Sequence, residues 1–233
     1  MDFNNTCNLP NNFMPNNRYF VVYKPFGILS QFSGEEDTLK KVANFPPDIY
    51  PVGRLDKDSE GLLLITDDKL LNHYLLDPKF GHLRSYLAQV EGKPTEEAIL
   101  QLQSGTEINV DGKMYKTKKA FAKILPEIPP LPDRNPPIRY RKSVPDSWIQ
   151  LTLTEGKNRQ VRKMTAAVGY PTLRLVRWSM ENLTIAGFAS GEVREFEKKE
   201  IYRLLKIKTD RFEKGGDWES GKTFSHPSVK RKK

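Results

Sequence analysis

The chain has 233 residues, 37% hydrophobic and 29% charged, with 38 Lys and Arg against 29 Asp and Glu for a formal net charge of +9. That length supports one substantial core or two small ones, and the cationic excess favours a polyanionic partner, because each cation that meets a phosphate releases a bound counterion. A lone cysteine, Cys7, excludes an internal disulfide and a Cys-rich zinc site, runs such as Leu62-Leu63-Leu64-Ile65 are too short to span a bilayer, and no basic-then-apolar leader opens the chain, so a cytoplasmic monomer with no membrane attachment is expected.

Residues 1–17, rich in Asn and Pro without a period, are expected to form a disordered arm. Residues 19–23 are aromatic and β-branched and stop at the turn signal Lys24-Pro25-Phe26-Gly27, which predicts a strand. Apolar spacing predicts a short helix over residues 38–45. The continuous apolar run of residues 61–66 predicts a strand buried on both faces. Residues 69–76 place Leu70, Leu71, Tyr74 and Leu75 on one helical face, and residues 86–91 alternate as a strand. Thr95 can cap a helix that has Glu96 and Glu97 in its first turn. Residues 126–145 are too proline-dense for a regular element and carry Arg134, Arg139, Arg141 and Lys142, the pattern of a basic surface loop. Residues 148–154 alternate with Ile149, Leu151 and Leu153 on one side, and residues 158–169 read as a helix stopped by Gly169. Residues 210–233 are polar and end Lys230-Arg231-Lys232-Lys233, a flexible basic tail. The mixture predicts an α+β fold around a mainly antiparallel mixed sheet, flanked by short helices and loops, over residues 18–209.

Two motif matches are weaker than they look. Residues 216–223 fit the phosphate-loop pattern G-x-x-x-x-G-K-T, but a charged stretch precedes them, and Pro227 with only six residues after it follows, instead of the strand and helix such a loop requires. Asp56, Asp58, Glu60, Gly61 and Asp67 mimic calcium-loop spacing, yet an apolar run fills the second half, and Pro51 and Gly53 stand where an entering helix belongs. The segment from Val52 to Thr66 instead reads as a carboxylate, Asp56, on a glycine-flanked loop between Arg54 and Lys57 that leads into a buried strand. A surface turn with solvated charges is the plainer alternative, and it leaves unexplained a carboxylate at the mouth of the most apolar strand.

This segment, Gly53-Arg54-Leu55-Asp56-Lys57-Asp58-Ser59-Glu60-Gly61-Leu62-Leu63-Leu64-Ile65-Thr66, resembles the catalytic motif of RNA pseudouridine synthases, in the branch that modifies bacterial ribosomal RNA. Lys24-Pro25-Phe26-Gly27, Ser85-Tyr86-Leu87-Ala88-Gln89-Val90-Glu91-Gly92 and Glu155-Gly156-Lys157-Asn158-Arg159-Gln160-Val161-Arg162-Lys163-Met164 resemble the family's other motifs, in order. The resemblance runs from about Arg18 to Leu205 and departs from the pattern at Trp178-Ser179-Met180-Glu181-Asn182, where a glycine is usual. The branch commonly has an S4-type RNA-binding domain before the catalytic one. Its lack of room here, with the segment from Pro136 to Lys142, resembles a member that acts on 23S rRNA of the large subunit, which makes that RNA, or a precursor particle, the expected partner.

The resemblance implies isomerisation of uridine to pseudouridine, with Asp56 as nucleophile, Arg162 keeping it ionised and oriented, and Tyr86 stacking on the uracil and helping to move its C5 proton. No redox step or net hydrolysis occurs, so no cofactor or metal is expected. On a helix starting near Asn158, Arg159, Arg162 and Lys163 would share a face opposite Val161, Met164 and Val168, and that face is expected to wall an RNA channel. Arg54, Lys24, Lys157, Arg159, Gln160 and Lys163 are the expected RNA contacts. A non-catalytic RNA-binding assembly factor would share the charge but would need neither Asp56 nor Tyr86. A metal-dependent nuclease would cut the RNA and be stopped by a chelator. His73, His82 and His226 show no ligand spacing.

Overall fold

The computed structural model describes residues 17–34, 37–138 and 144–207. The elements in chain order are β1 (Tyr19–Lys24), β2 (Tyr50–Pro51), β3 (Glu60–Thr66), α1 (Lys69–Leu76), β4 (Arg84–Glu91), α2 (Glu96–Ser104), β5 (Glu107–Val110), β6 (Lys113–Lys116), β7 (Phe121–Leu125), β8 (Asp146–Leu153), α3 (Gln160–Ala167), β9 (Thr172–Met180), β10 (Leu183–Thr184), β11 (Val193–Phe196) and α4 (Lys198–Leu204). The main sheet runs β11-β1-β3-β9-β4-β8-β7, with β2 paired to β3, β10 paired to β9, and β5–β6 forming a separate hairpin. Its pairs are antiparallel except β3 with β9, which align in parallel at Glu60 with Val176 and Gly61 with Arg177. The expected α+β architecture with a mainly antiparallel mixed sheet is therefore present.

Both faces of β1 and β3 are covered. Tyr19, Val21, Leu62 and Leu64 pack against α1 and α4, while Phe20, Val22, Leu63 and Ile65 pack on Leu39, Ile49 and Leu55 on the other side. That double burial is why β3 reads as an unbroken apolar run. Ile149, Leu151 and Leu153 share a second cluster with Leu102 of α2 and with Val161 and Met164 of α3.

Glycine is required at position 61. Its φ is +100°, and a Cβ there would lie 2.4 Å from the Arg177 carbonyl oxygen and 2.8 Å from the Arg177 nitrogen. The parallel joint depends on the absent side chain.

Several expectations change. Residues 38–45 form only a 3-10 turn, Leu39–Lys41. Pro46 disfavours helical backbone at Phe45, and the Phe45 ring instead packs edge-on against Phe20 and Phe32. Helix α1 has the predicted bounds but buries Leu71 and Leu75, and leaves Leu70 exposed. Helix α3 begins at Gln160, not Asn158, because Arg159 has left-handed backbone at φ 53°. The described part of residues 126–145 holds no helix or strand, as expected, but Arg134 lies over the Phe26 ring at 4.1 Å. Arg139, Arg141, Lys142 and the motif match at residues 216–223 lie outside the described residues.

Candidate active site

A cleft of about 720 Å³ opens where the loop before β3, the inner strands β4 and β9, and the loop before α3 meet. Asp56, Tyr86, Arg54, Lys157, Arg159 and Arg177 are among its lining residues. Side chains from four separate chain segments thus converge on one cavity.

The loop that carries Asp56 is held from beneath. Ser30 Oγ donates to the Leu55 carbonyl at 2.9 Å and accepts from the Leu55 amide at 3.0 Å, both within the core. The Gly27 amide donates to the Lys57 carbonyl at 2.8 Å, and the Ser59 amide donates back to the Asp56 carbonyl at 3.0 Å. The turn Lys24-Pro25-Phe26-Gly27 is thereby a platform for the acidic loop. Lys24 itself is wholly buried, and its Nζ donates to the Pro25 and Ile28 carbonyls at 2.9 and 2.6 Å. Burial lowers its pKa to about 8. The expectation that Lys24 touches RNA is corrected: it closes the turn from inside.

Around Asp56 the cations are arranged differently from the sequence expectation. Arg159, not Arg162, is the guanidinium beside it, with Nη1 3.6 Å from Asp56 Oδ2. Arg159 also makes a bidentate pair with Asp58, at 2.9 and 2.7 Å. The left-handed backbone at Arg159 lifts this side chain off the helix and across the cleft mouth. Arg162 is turned inward, with Nη2 donating to the Asp58 carbonyl at 2.6 Å and Nε 3.4 Å from Asp58 Oδ2. No hydrogen bond or ion pair joins Arg162 to Asp56 among the described residues. Burial opposes ionisation of Asp58, but Arg159 and Arg162 outweigh it and hold the pKa below the usual carboxylate value. Asp58 thus binds both arginines, a role invisible in the sequence, where it served only the calcium-loop pattern. That pattern does not converge: Glu60 is buried against Arg174, and Asp67 accepts from the Arg18 amide at the far end of β3.

The other expected contacts divide. Arg54 is exposed and has no side-chain hydrogen bond or ion pair among the described residues. Lys157 is exposed and lines the same cleft, with Nζ 4.9 Å from the Tyr115 ring centroid. Gln160 is buried: it accepts from the Lys157 amide at 2.9 Å and donates to Glu155 at 2.7 Å, so it fixes the loop and is not free to contact a partner. Lys163 is half-buried and does not line the cleft.

Tyr86 projects into the cleft from β4, opposite Arg177 of β9. Arg177 is 4% exposed, and its Nε donates to the Leu62 carbonyl at 2.7 Å. Sequence reasoning passed over it, although an arginine within the apolar run Leu175-Val176-Arg177-Trp178 is a signal in itself, because a buried cation needs a purpose.

Chemically the cleft offers a half-exposed carboxylate beside a guanidinium, an aromatic ring in the same cavity, and exposed cations. Those parts suit attack on, or stacking with, a flat polar ring attached to a phosphate backbone.

A family model described as RNA pseudouridylate synthase matches residues 18–167. A ribosomal large subunit pseudouridine synthase E from Xanthomonas axonopodis pv. citri is 51% identical over 67% of this chain and 82% of its own length. One of the same name from Vibrio parahaemolyticus is 40% identical over 82% of this chain and 79% of its own length. Among solved structures, a pseudouridylate synthase shares 27% identity and a TM-score of 0.67, over 82% of this chain and 75% of that one.

Proposed function

Because the chain belongs to the RNA pseudouridylate synthase family, we propose that it converts a uridine of large-subunit (23S) ribosomal RNA to pseudouridine, and that Asp56 is its nucleophile. The relatives named for the large ribosomal subunit supply the substrate class. The single observation that supports the site assignment is that Asp56 and Tyr86 line one cleft, with Arg159 beside the carboxylate.

The target atoms of a stacked or paired base are out of reach, so the nucleotide must leave the helix and enter the cleft. Arg54, without a hydrogen bond or ion pair among the described residues, is the side chain suited to fill the vacated stack or grip a phosphate, and Lys157 and Arg159 line the same cleft. Inside, the Asp56 carboxylate faces the glycosidic carbon, and the Tyr86 ring stacks on the uracil while the C1′–N1 bond breaks. The base turns, C5 joins C1′, and the C5 proton leaves. Arg162 acts one step removed, by fixing Asp58, which in turn holds Arg159. Residues 18–209 are the unit to which we assign this activity.

Asp56→Asn keeps shape and removes the attacking charge. Tritium release from C5-labelled uridine in large-subunit rRNA should fall to background, while the variant stays folded and binds RNA at least as well, since an anion has left a cationic cleft. Asp67→Asn, remote from the cleft, should remain active. Normal release by Asp56→Asn would end the proposed chemistry.

A further inference from the structure

Arg177 occupies a place that is costly for a cation. Its side chain is inside the protein, Nε is committed to the Leu62 carbonyl, and Nη2 is buried without any hydrogen-bond partner. A buried donor left unsatisfied calls for an explanation, above all on a charged group. No carboxylate among the described residues forms an ion pair with it. The nearest buried acid in the sheet, Glu60, is taken by Arg174, with oxygens at 2.9 and 2.8 Å. Arg84, from the neighbouring strand, adds a like charge.

What does face Arg177 is Tyr86. The two are paired across β4 and β9, where opposed side chains project to the same face of the sheet. A register shift between Ser85 and Tyr86 re-aims the ring at this point. Both residues line the cleft. Burial lowers the Arg177 pKa, and the Tyr86 phenol opposes that through charge and a side-chain hydrogen-bonding interaction. The arrangement is a buried cation that, among the described residues, is paired with a phenol and not with a carboxylate.

We propose that Arg177 is a positioning residue for Tyr86, orienting the phenol over the uracil so that its oxygen can receive the C5 proton. The inference rests on the uridine-isomerising reading above. Once C5 has bonded to C1′, C5 still carries its original hydrogen. The C5–H bond breaks, its electron pair forms the C5–C6 double bond, and the proton passes to the Tyr86 oxygen as the phenol gives its own proton to water. The pair displaced from the C6–N1 double bond stays on N1, which takes a proton from water. The phenol is thereby restored, and the Arg177 fork holds it for the next turnover. A carboxylate beside Arg177 would compete for the same donors, which is a physical reason for its absence there.

The test is a double-mutant cycle on the full chain, with a large-subunit rRNA transcript under single-turnover conditions. Arg177→Lys and Arg177→Gln are each combined with Tyr86→Phe, and pseudouridine formation, C5 tritium release and RNA affinity are followed. Lysine keeps the charge but cannot hold both the Leu62 carbonyl and the Tyr86 oxygen as a fork does. Each single variant should lose about 100-fold in rate, the scale of a misplaced acid–base group, with RNA affinity within about twofold of wild type. In the Tyr86→Phe background, a change at Arg177 should cost under about threefold more, because residues acting through one contact are not additive. A merely structural arginine would give additive losses, or a loss of affinity, and either overturns the inference, as would full activity of Tyr86→Phe or of Arg177→Lys. If Arg177→Gln fails to fold in thermal melts, the lysine cycle decides alone. A wild-type protein that forms no pseudouridine would instead refute the underlying reading, so the two failures are distinguishable.

Discussion

Asp68→Ala should be among the most damaging single changes outside the cleft. Asp68 is buried and caps α1, accepting from the Leu71 amide at 3.0 Å. The Tyr19 hydroxyl of β1 and the Tyr202 hydroxyl of α4 also donate to it, each at 2.7 Å. Their rings meet edge-on at 6.3 Å in the core. Alanine removes a cap worth about 1 kcal/mol and strands two buried phenols at about 1–3 kcal/mol each, a loss centred near 5 kcal/mol. For a chain of this size that lowers Tm by roughly 10–20 °C. Urea and thermal melts at neutral pH measure it. In a Tyr19→Phe, Tyr202→Phe background the same alanine should cost only about 1 kcal/mol, because no phenol is left stranded. The acid limb is a second readout. Burial opposes ionisation of Asp68, but the Leu71 amide and the two phenols outweigh it and hold its pKa below 3.8. A depressed folded pKa gives stability that is complete above the unfolded value, about 3.9, and is lost as pH falls through the folded one. Wild type should therefore lose stability below about pH 4 more steeply than the alanine variant. A loss under about 1 kcal/mol, or acid limbs of equal slope, would refute the reasoning.

Gly61→Ala should destabilise by about 3 kcal/mol or prevent soluble expression, since the new Cβ meets Arg177 backbone and the backbone conformation is itself strained; an unchanged urea midpoint would count against the close parallel joint. Asp58→Asn should slow single-turnover isomerisation about tenfold by releasing Arg159 and Arg162, while stability falls by under about 1 kcal/mol because the pair is half-exposed. Wild-type kinetics in that variant would mean Arg159 is held in place by something else.

Much of this was legible in the sequence where one local rule acted alone. Residues 61–66 read as a strand buried on both faces because α1 and α4 cover one face and Leu39, Ile49 and Leu55 the other. Thr95 read as a cap because its hydroxyl can reach the Ala98 amide without help from elsewhere. The hairpin β5–β6 should have been seen, since Val110-Asp111-Gly112-Lys113 carries the Asp-Gly turn signal and both turn residues have positive φ. The failures share a cause. Arg159 reads as helical by spacing, and leaves the helix because Asp58, 101 residues away, draws it across the cleft. Lys24 reads as a surface cation, and is buried because two carbonyls of its own turn need a donor. The convergence of Asp56 and Tyr86 was expected from the family resemblance, whereas the companionship of Tyr86 with Arg177 depends on the β4–β9 register, which no local pattern encodes.

The short parallel pairing of β3 with β9 is a stitch between two antiparallel blocks. One block holds β11, β1 and β3, and the other holds β9, β4, β8 and β7. Asp56 hangs from the first block; Tyr86 and Arg177 stand on the second. The stitch comprises two residue pairs, reinforced by the Glu60–Arg174 pair and the Arg177 bond to Leu62, between segments 114 and 115 residues apart in the chain. Competence is therefore a property of closure, belonging to neither block. A protein that retained every hairpin but splayed at this seam would keep nearly all its secondary structure and have no active site, so activity reports on the seam more sensitively than any measure of helix or strand content.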